Sequence, residues 1–355
     1  MIDFLVVGGG VAGLGAGAHL AKHGSVVLLE QEDTLGYHTS GRSAAMFEEN
    51  YGPAPVVELS RASATPLQTG GYLSPRGFLL IAPVADNALF ERDCINLQCA
   101  EISANEARDL VPVLNPTYLH RAAYHPEAAD LDTDRLMQDW ARDLRNHGGE
   151  IHCRCGVESI ERHSQGWRVT AGTLEIYARY IINAAGAWAD EIAVRAGCRP
   201  VGLVAKRRSM AQLPAPQGHD PMTWPMIMAA GEAWYAKPQS GKLLVSPADA
   251  DPTKPHDVWA DDMVLAEGLA RFEEAVEFTV TRLETSWAGL RSFAPDGNPV
   301  FGADPSDPHF IWYAGQGGYG FQTAPASAKL ISDIITGEET GFDPKLLAAL
   351  SPARF

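Results

Sequence analysis

The sequence predicts an α/β protein: a Rossmann-like nucleotide-binding domain assembled from discontinuous segments, and a second domain built mainly of antiparallel β-sheet. Three observations carry that expectation. The chain opens with a short apolar, β-favouring run, Phe4 to Val7, which empties into Gly8-Gly9-Gly10-Val11-Ala12-Gly13 and a helix of small residues reaching His23. A second β-favouring run, Ser25 to Leu29, ends on Glu30, twenty positions after Gly10. Near the far end the plan returns: His309 to Ala314 reads as a strand, Gly315-Gln316-Gly317-Gly318-Tyr319-Gly320 as a flexible loop, and Thr323 to Ile335 as a helix closed by Gly337.

Each residue type in the opening motif has a physical task. Gly8 lets the chain turn sharply out of the strand, Gly10 lets a pyrophosphate approach the backbone, and Gly13 lets the helix lie close against the sheet. Unpaired N–H groups at the positive end of the helix then meet the phosphates. Glu30, at the tip of the second strand, is placed to accept hydrogen bonds from both ribose hydroxyls. Its charge would repel a 2′-phosphate, so an unphosphorylated ribose is expected.

Composition sets the outer limits. At 355 residues the chain exceeds a typical single domain, and 46% hydrophobic with 20% charged residues describes a globular protein with ample core. A formal charge of −16 repels nucleic acid and anionic membranes, so neither is expected as a partner. No apolar run approaches the ~20 residues of a membrane span, and the N-terminus enters the first strand without a basic leader; a cytoplasmic chain is expected. The five cysteines include no CxxC and no Cys/His cluster, which argues against a disulfide framework and against a metal site. Cys153 and Cys155, two apart on an expected strand, would share a face.

Between the two glycine loops the chain is read in order. The polar run Thr34 to Ala45 is a loop able to wrap phosphates, with Arg42 as counter-charge and Ser43 as donor. From Tyr51 to about Pro126 the composition changes, as for an insertion outside the nucleotide fold: Gly77 to Val84 reads as a strand, and Ser103-Ala104-Asn105-Glu106 as a capping box. A helix begins at Asp132 or Thr133 with Leu136, Met137, Trp140 and Leu144 on one face, ended by Gly148-Gly149. Strands are expected at Glu150 to Cys155, Val157 to Glu161, Trp167 to Ala171 and Tyr180 to Asn183. The last stops at Ala184-Ala185-Gly186-Ala187-Trp188, at the carboxyl edge of the sheet. Pro200 to Glu284 is β-rich, with one helix near Asp261 to Glu277. The nucleotide domain is thus expected over 1–50, 127–199 and 286–355, and the second domain over 51–126 and 200–285.

These motifs, together with Thr39-Ser40-Gly41-Arg42-Ser43 and Trp287-Ala288-Gly289-Leu290-Arg291, occur in the order used by the D-amino acid oxidase family of flavoenzymes. Within it the chain most resembles the D-arginine dehydrogenase type, essentially end to end. The resemblance implies non-covalent FAD and a small amino acid substrate in a cavity between flavin and second domain. It also implies transfer of a hydride from the Cα of a D-amino acid to flavin N5, giving an imino acid that hydrolyses to a 2-oxo acid and ammonia.

Carried over residue by residue, the resemblance places cofactor contacts on Gly8, Gly10, Ala12 and Gly13, on Glu30 and Gln31, and on Ser40, Gly41, Arg42, Ser43 and Ala45. Further contacts fall on Val157, on Ala185, Gly186 and Trp188, on Gly289, and on Gly317, Gly318, Tyr319, Gly320, Gln322 and Thr323. Arg291 matches the arginine that grips the substrate carboxylate, Arg208 and Tyr235 match further carboxylate contacts, and Tyr51 matches a tyrosine over the pocket. By the same resemblance the Gly318 carbonyl is expected to accept from the substrate amine. Two positions depart from the arginine-acting pattern: Met46 stands where those enzymes place a histidine, and Phe78 where they place a glutamate. With Met226 and Met228 on the same wall, an apolar pocket preferring neutral, apolar D-amino acids is expected. The electron acceptor stays open. An oxygen-using oxidase acting on glycine or an N-methylated amine is the alternative, and a flavin-binding subunit with an inactive pocket is the more distant one.

Overall fold

A computed structural model describes residues 1–163 and 165–355. Its first sheet has eight strands. Glu150–His152, Val26–Leu29, Ile2–Val7, Leu174–Asn183 and Phe310–Ala314 lie side by side and parallel. Gly166–Ala171, Ser159–His163 and Val300–Ala303 extend them by antiparallel pairing. Parallel strands are buried on both faces, and the VVLL run of Val26–Leu29 is fully so. On one face pack the helices Val11–Leu20, Thr133–Asn146 and Ala324–Thr336, with Leu14, Trp140, Leu144 and Ile331 in one core. The carboxyl ends of Ile2–Val7 and Phe310–Ala314 point the same way, so both glycine loops open onto one sheet edge.

The second sheet has nine strands and is antiparallel throughout except where Met226–Ala229 runs parallel to Phe78–Ala82. At one end Val204–Pro214 pairs along its length with Thr285–Phe293, aligning Arg208 with Gly289 and Lys206 with Arg291. Because side chains alternate, Arg208 and Arg291 stand on one face of this sheet. At the other end Phe78 is flanked by Met226 and His125, and Met228 by Tyr235. A three-stranded sheet of Met46–Phe47, Ala129–Leu131 and Leu73–Pro75 joins the two. The expected fold class is the observed one.

Several local expectations shift. The first helix stops at Leu20, three residues short of His23, and the chain turns back through Gly24. The strand opened at Glu150 ends at His152, and Arg154 takes φ = 58°, so Cys153 and Cys155 sit in a turn and the same-face argument does not apply to them. Two helices within 51–126, Ala54–Thr69 and Asn87–Leu97, went unread. The first carries Pro66, which masks its period, and it buries Leu59 and Leu67 in the core under the parallel sheet. That stretch therefore packs with the nucleotide fold, although the expected boundary at residue 51 assigns it to the second domain. The Ser103 capping box forms as expected, with Ser103 N–H donating to Glu106 Oε2 at 2.8 Å and Glu106 N–H to Ser103 Oγ at 3.2 Å. Among the described residues no group of three or more His, Cys, Asp or Glu could hold a metal ion, and no helix is long and apolar enough to cross a membrane.

Candidate active site

A single cavity of about 520 Å³ runs from the glycine turns of the first sheet to the face of the second. At its nucleotide end the geometry follows from the glycines. A Cβ on Gly13 would collide with the Gly8 carbonyl oxygen, so only glycine lets helix and strand approach this closely. Gly8 itself takes φ = 109°, which favours glycine, and its N–H donates to the Leu29 carbonyl at 2.8 Å. A Cβ at Gly10 would meet only the Ser40 hydroxyl, at 3.1 Å, and one at Gly186 nothing within 4 Å. Backbone on both sides is therefore open to a ligand as bulky as a dinucleotide, and the residues present fit FAD.

The polar groups here are already oriented. Glu30 is buried; its carboxylate accepts from Gly9 N–H at 2.7 Å and Glu32 N–H at 2.9 Å, which fixes it on the cavity wall with lone pairs to spare. Ser40 Oγ accepts from Val11 N–H at 3.0 Å, capping the first helix from outside it and leaving the hydroxyl proton for a phosphate. Replacing Ser40 with Ala removes that cap and should lower the stability of the apoprotein by about 1 kcal/mol, read as a fall in its melting temperature.

Most of the expected cofactor residues line this end: Gly8, Gly10, Ala12, Glu30, Gln31, Ser40, Arg42, Ser43, Ala45, Val157, Ala185, Gly186, Trp188, Gly289, Gly317, Gly318, Gly320 and Gln322. Four stand behind the wall. Gly13 and Gly41 make close backbone approaches, to Gly8 and Gly36. Thr323 Oγ1 donates to the Tyr319 carbonyl at 2.9 Å, and the Tyr319 ring packs edge-on against Tyr51, 5.3 Å between centroids.

Arg42 is corrected in its role. Its Nη1 donates to the carbonyls of Val258 and Ala288, both at 3.0 Å, and its Nη2 pairs with Asp257. With its Nε bonded to the Tyr37 carbonyl as well, the guanidinium staples the loop to the second sheet and is spent as a phosphate counter-charge. Lys237 does a similar task from within. Buried among Ala44 O (2.6 Å), Ala45 O (3.1 Å) and Asp130 Oδ1 (2.8 Å), it holds the Ala44–Ala45 segment, with Ala45 at φ = 25°, across the junction of the two halves. Burial lowers the pKa of its ammonium, and Asp130 opposes that.

At the other end the cavity is walled by every residue expected there: Tyr51, Arg208, Tyr235, Arg291, Gly318, Met46, Phe78, Met226 and Met228. Arg291 lies under the glycine loop; a Cβ on Gly318 would sit 2.9 Å from its Cζ and Nη1. Burial by itself would weaken the Arg291 guanidinium's hold on its proton, but the facing Tyr51 and Tyr235 phenols and the Glu232 carboxylate outweigh it and raise its pKa, so the cation is permanent. Burial likewise pushes the Tyr51 phenol up, keeping it neutral and a donor. Arg208 lies with its Cζ 5.9 Å from the Tyr235 ring centroid, and its buried Nε has no hydrogen-bond partner among the described residues. Two guanidinium groups and two phenols thus converge where a carboxylate can be gripped.

The expectation of an acid-free pocket is corrected. Glu232 stands on the wall at φ = 55°, its Oε2 4.0 Å from Arg208 Nη1, and Glu48 stands beside Met46. Sequence reading missed both. Glu48 had a signal: it lies two residues after Met46 in an extended run, so the two share a face, while Phe47 points into the other core. Glu232 lies in a turn whose geometry depends on Asp93 accepting from Gly231 N–H at 2.6 Å, a contact 138 positions away.

Fold and cavity together define an α/β flavoprotein oxidoreductase with an additional antiparallel sheet, its dinucleotide site at one sheet edge and a second chamber beside it. The chain belongs to the DAO family: the description "FAD dependent oxidoreductase" matches residues 3–334. FAD is its cofactor. Glycine oxidase of Pseudomonas putida is 28% identical over 96% of this chain and 96% of its own length. The bifunctional protein ThiO/ThiG of a Synechocystis strain is 24% identical over 99% of this chain, which spans 54% of that relative. The crystal structure of glycine oxidase from Geobacillus kaustophilus superposes with a TM-score of 0.87 at 24% identity, covering 100% of this chain and 99% of that one. The expected likeness is thereby borne out for the family, while at the finer level these matches are to glycine oxidases and to ThiO/ThiG in place of D-arginine dehydrogenases.

Proposed function

We propose that this protein oxidises the Cα–N bond of amino acids, and the observation that carries the reading is Arg291. It is a buried cation on the cavity wall, pressed beneath Gly318 and faced by two phenols, in a chamber continuous with the FAD cradle. Its planar fork of N–H donors is matched by an α-carboxylate, which can be gripped bidentately. With the carboxylate held, Arg208, Tyr51 and Tyr235 fix its orientation, and the Gly318 carbonyl accepts from the amine. Cα would then be presented to a flavin held in the continuous cradle. FAD, when bound in the cradle of the glycine loops, would supply the two-electron oxidant for loss of the Cα hydrogen as hydride and of an amine proton. The imino acid released hydrolyses to a 2-oxo acid and ammonia.

The finer reading takes D-amino acids with a side chain as substrates and an acceptor other than oxygen. It is supported by the resemblance of Tyr51, Arg208, Tyr235 and Arg291 to D-amino acid dehydrogenases, and by Met46, Phe78, Met226 and Met228, which wall a volume glycine would leave empty. The glycine oxidase relatives favour a second reading, an oxygen-using oxidase on glycine or a small N-substituted amine. One experiment tests both. The yellow holoenzyme is mixed anaerobically with glycine, sarcosine and paired D- and L-amino acids, and then with oxygen. Bleaching by a D-isomer with slow reoxidation is the expected result, bleaching by glycine with fast reoxidation supports the second reading, and no bleaching by any compound contradicts both.

A further inference from the structure

Phe78, His125 and Met226 are cross-strand partners on the second sheet, and Glu48 reaches down onto them from the loop after Met46. His125 Nδ1 lies 2.6 Å from Glu48 Oε2, while Glu48 Oε1 accepts from Asn50 N–H at 3.2 Å and, at 3.4 Å, from Asn50 Nδ2. The Glu48 side chain is only 5% exposed, and the residue lines the cavity together with Met46. A buried carboxylate is held here by neutral amides and one imidazole, at the apolar end of a substrate chamber. The guanidinium groups of Arg208 and Arg291 belong to strands at the far end of the same sheet, and Arg61 enters this network only through Asn50 Oδ1, at 2.9 Å, so among the described residues no Arg or Lys pairs with the Glu48 carboxylate itself.

We propose that Glu48, positioned by His125 and Asn50, is the specificity-determining residue for the substrate side chain, and that it selects amino acids whose side chain ends in a cationic amine or another strong N–H donor. The assignment rests on the amino acid reading above and deepens it. The carboxylate of the substrate is taken at Arg291, its aliphatic stem runs past Met228, Met226 and Phe78, and its terminus meets Glu48, while the other acid of the chamber, Glu232, stays beside Arg208. The methionines fit an unbranched stem, because unbranched thioether side chains adapt to it. The acid absent at position 78 is replaced by one reaching the same region from position 48, which reverses the expected preference for neutral side chains. His125 tunes the site. Its bond to Glu48 raises its pKa, with Glu49 and Glu127 adding to this and burial opposing it, and whenever the imidazole is protonated it competes with the substrate cation for the same carboxylate.

The test compares kcat/KM for lysine and for norleucine, which share a stem and differ in the terminal ammonium, using for each the enantiomer that bleaches the flavin. The wild type should favour lysine, and Glu48→Gln should lower the lysine-to-norleucine ratio at least about tenfold, through the lysine value and mainly in KM. His125→Gln, which leaves the carboxylate without its competing cation, should raise the ratio. Should Glu48→Gln not fold, the His125→Gln ratio decides alone, and a ratio unchanged or lowered there overturns the assignment. A wild-type flavin bleached by norleucine, with a ratio that neither variant moves, overturns the role of Glu48 while leaving the amino acid reading intact. A flavin bleached by neither compound nor by any other amino acid overturns both.

Discussion

Arg291→Met should lower kcat/KM by two to three orders of magnitude, about 3–4 kcal/mol of transition-state stabilisation, with its FAD still bound. The size follows from what is left behind. In the variant the substrate carboxylate enters a desolvated chamber with no cation beneath Gly318, and the Glu232 carboxylate and the two phenols lose the charge they face. Most of the loss should appear in KM, since the carboxylate is bound in ground and transition states alike. Some should appear in kcat, because a substrate free to rotate presents Cα to the flavin less often. Arg291→Lys should recover only part, as an ammonium offers a point charge where the site presents a planar fork. Steady-state kinetics on the best substrate, with flavin content measured in parallel, checks this.

Gly13→Ala should act at the other end and more globally. Its Cβ would collide with the Gly8 carbonyl, so either the first helix lifts from the sheet or the Gly8 turn shifts, and both displace the backbone that meets the pyrophosphate. Overpacking of this kind costs about 1–3 kcal/mol of stability. FAD affinity should fall by more than about tenfold, because the donors of the helix N-terminus no longer converge. The measurement is flavin content after gel filtration together with the melting temperature of apo and holo forms. A variant that melts like the wild type and keeps its flavin would show that the close approach at Gly13 is unimportant.

The nucleotide half of the molecule was legible because its determinants are local. A glycine turn, a small-residue helix and Glu30 lie within thirty residues, and the turn and the close approach of the helix are demanded by backbone geometry that glycine alone supplies. Arg291 and Arg208 were legible only through resemblance, since 83 residues separate them in sequence and strand pairing alone brings them to one face. Glu48 and Glu232 escaped for the same reason. Nothing near Glu48 announces His125, its partner 77 positions on, and the turn carrying Glu232 depends on Asp93. Arg42 was misread because a loop arginine beside a phosphate site looks like a counter-charge until its carbonyl partners, more than 200 residues away, are seen. The helix Ala54–Thr69 was overlooked because Pro66 interrupts a pattern that its packing on Ala324–Thr336 restores.

The central claim is that one cavity brings a flavin held by two separated glycine loops against a carboxylate site centred on Arg291. A crystal structure of the holoenzyme with a short carboxylate lacking the amine, such as propionate, tests it most directly. The account predicts the carboxylate in bidentate contact with the Arg291 guanidinium and the flavin ring above Cα. A carboxylate bound elsewhere, or a flavin whose reactive edge faces away from Arg291, would contradict it.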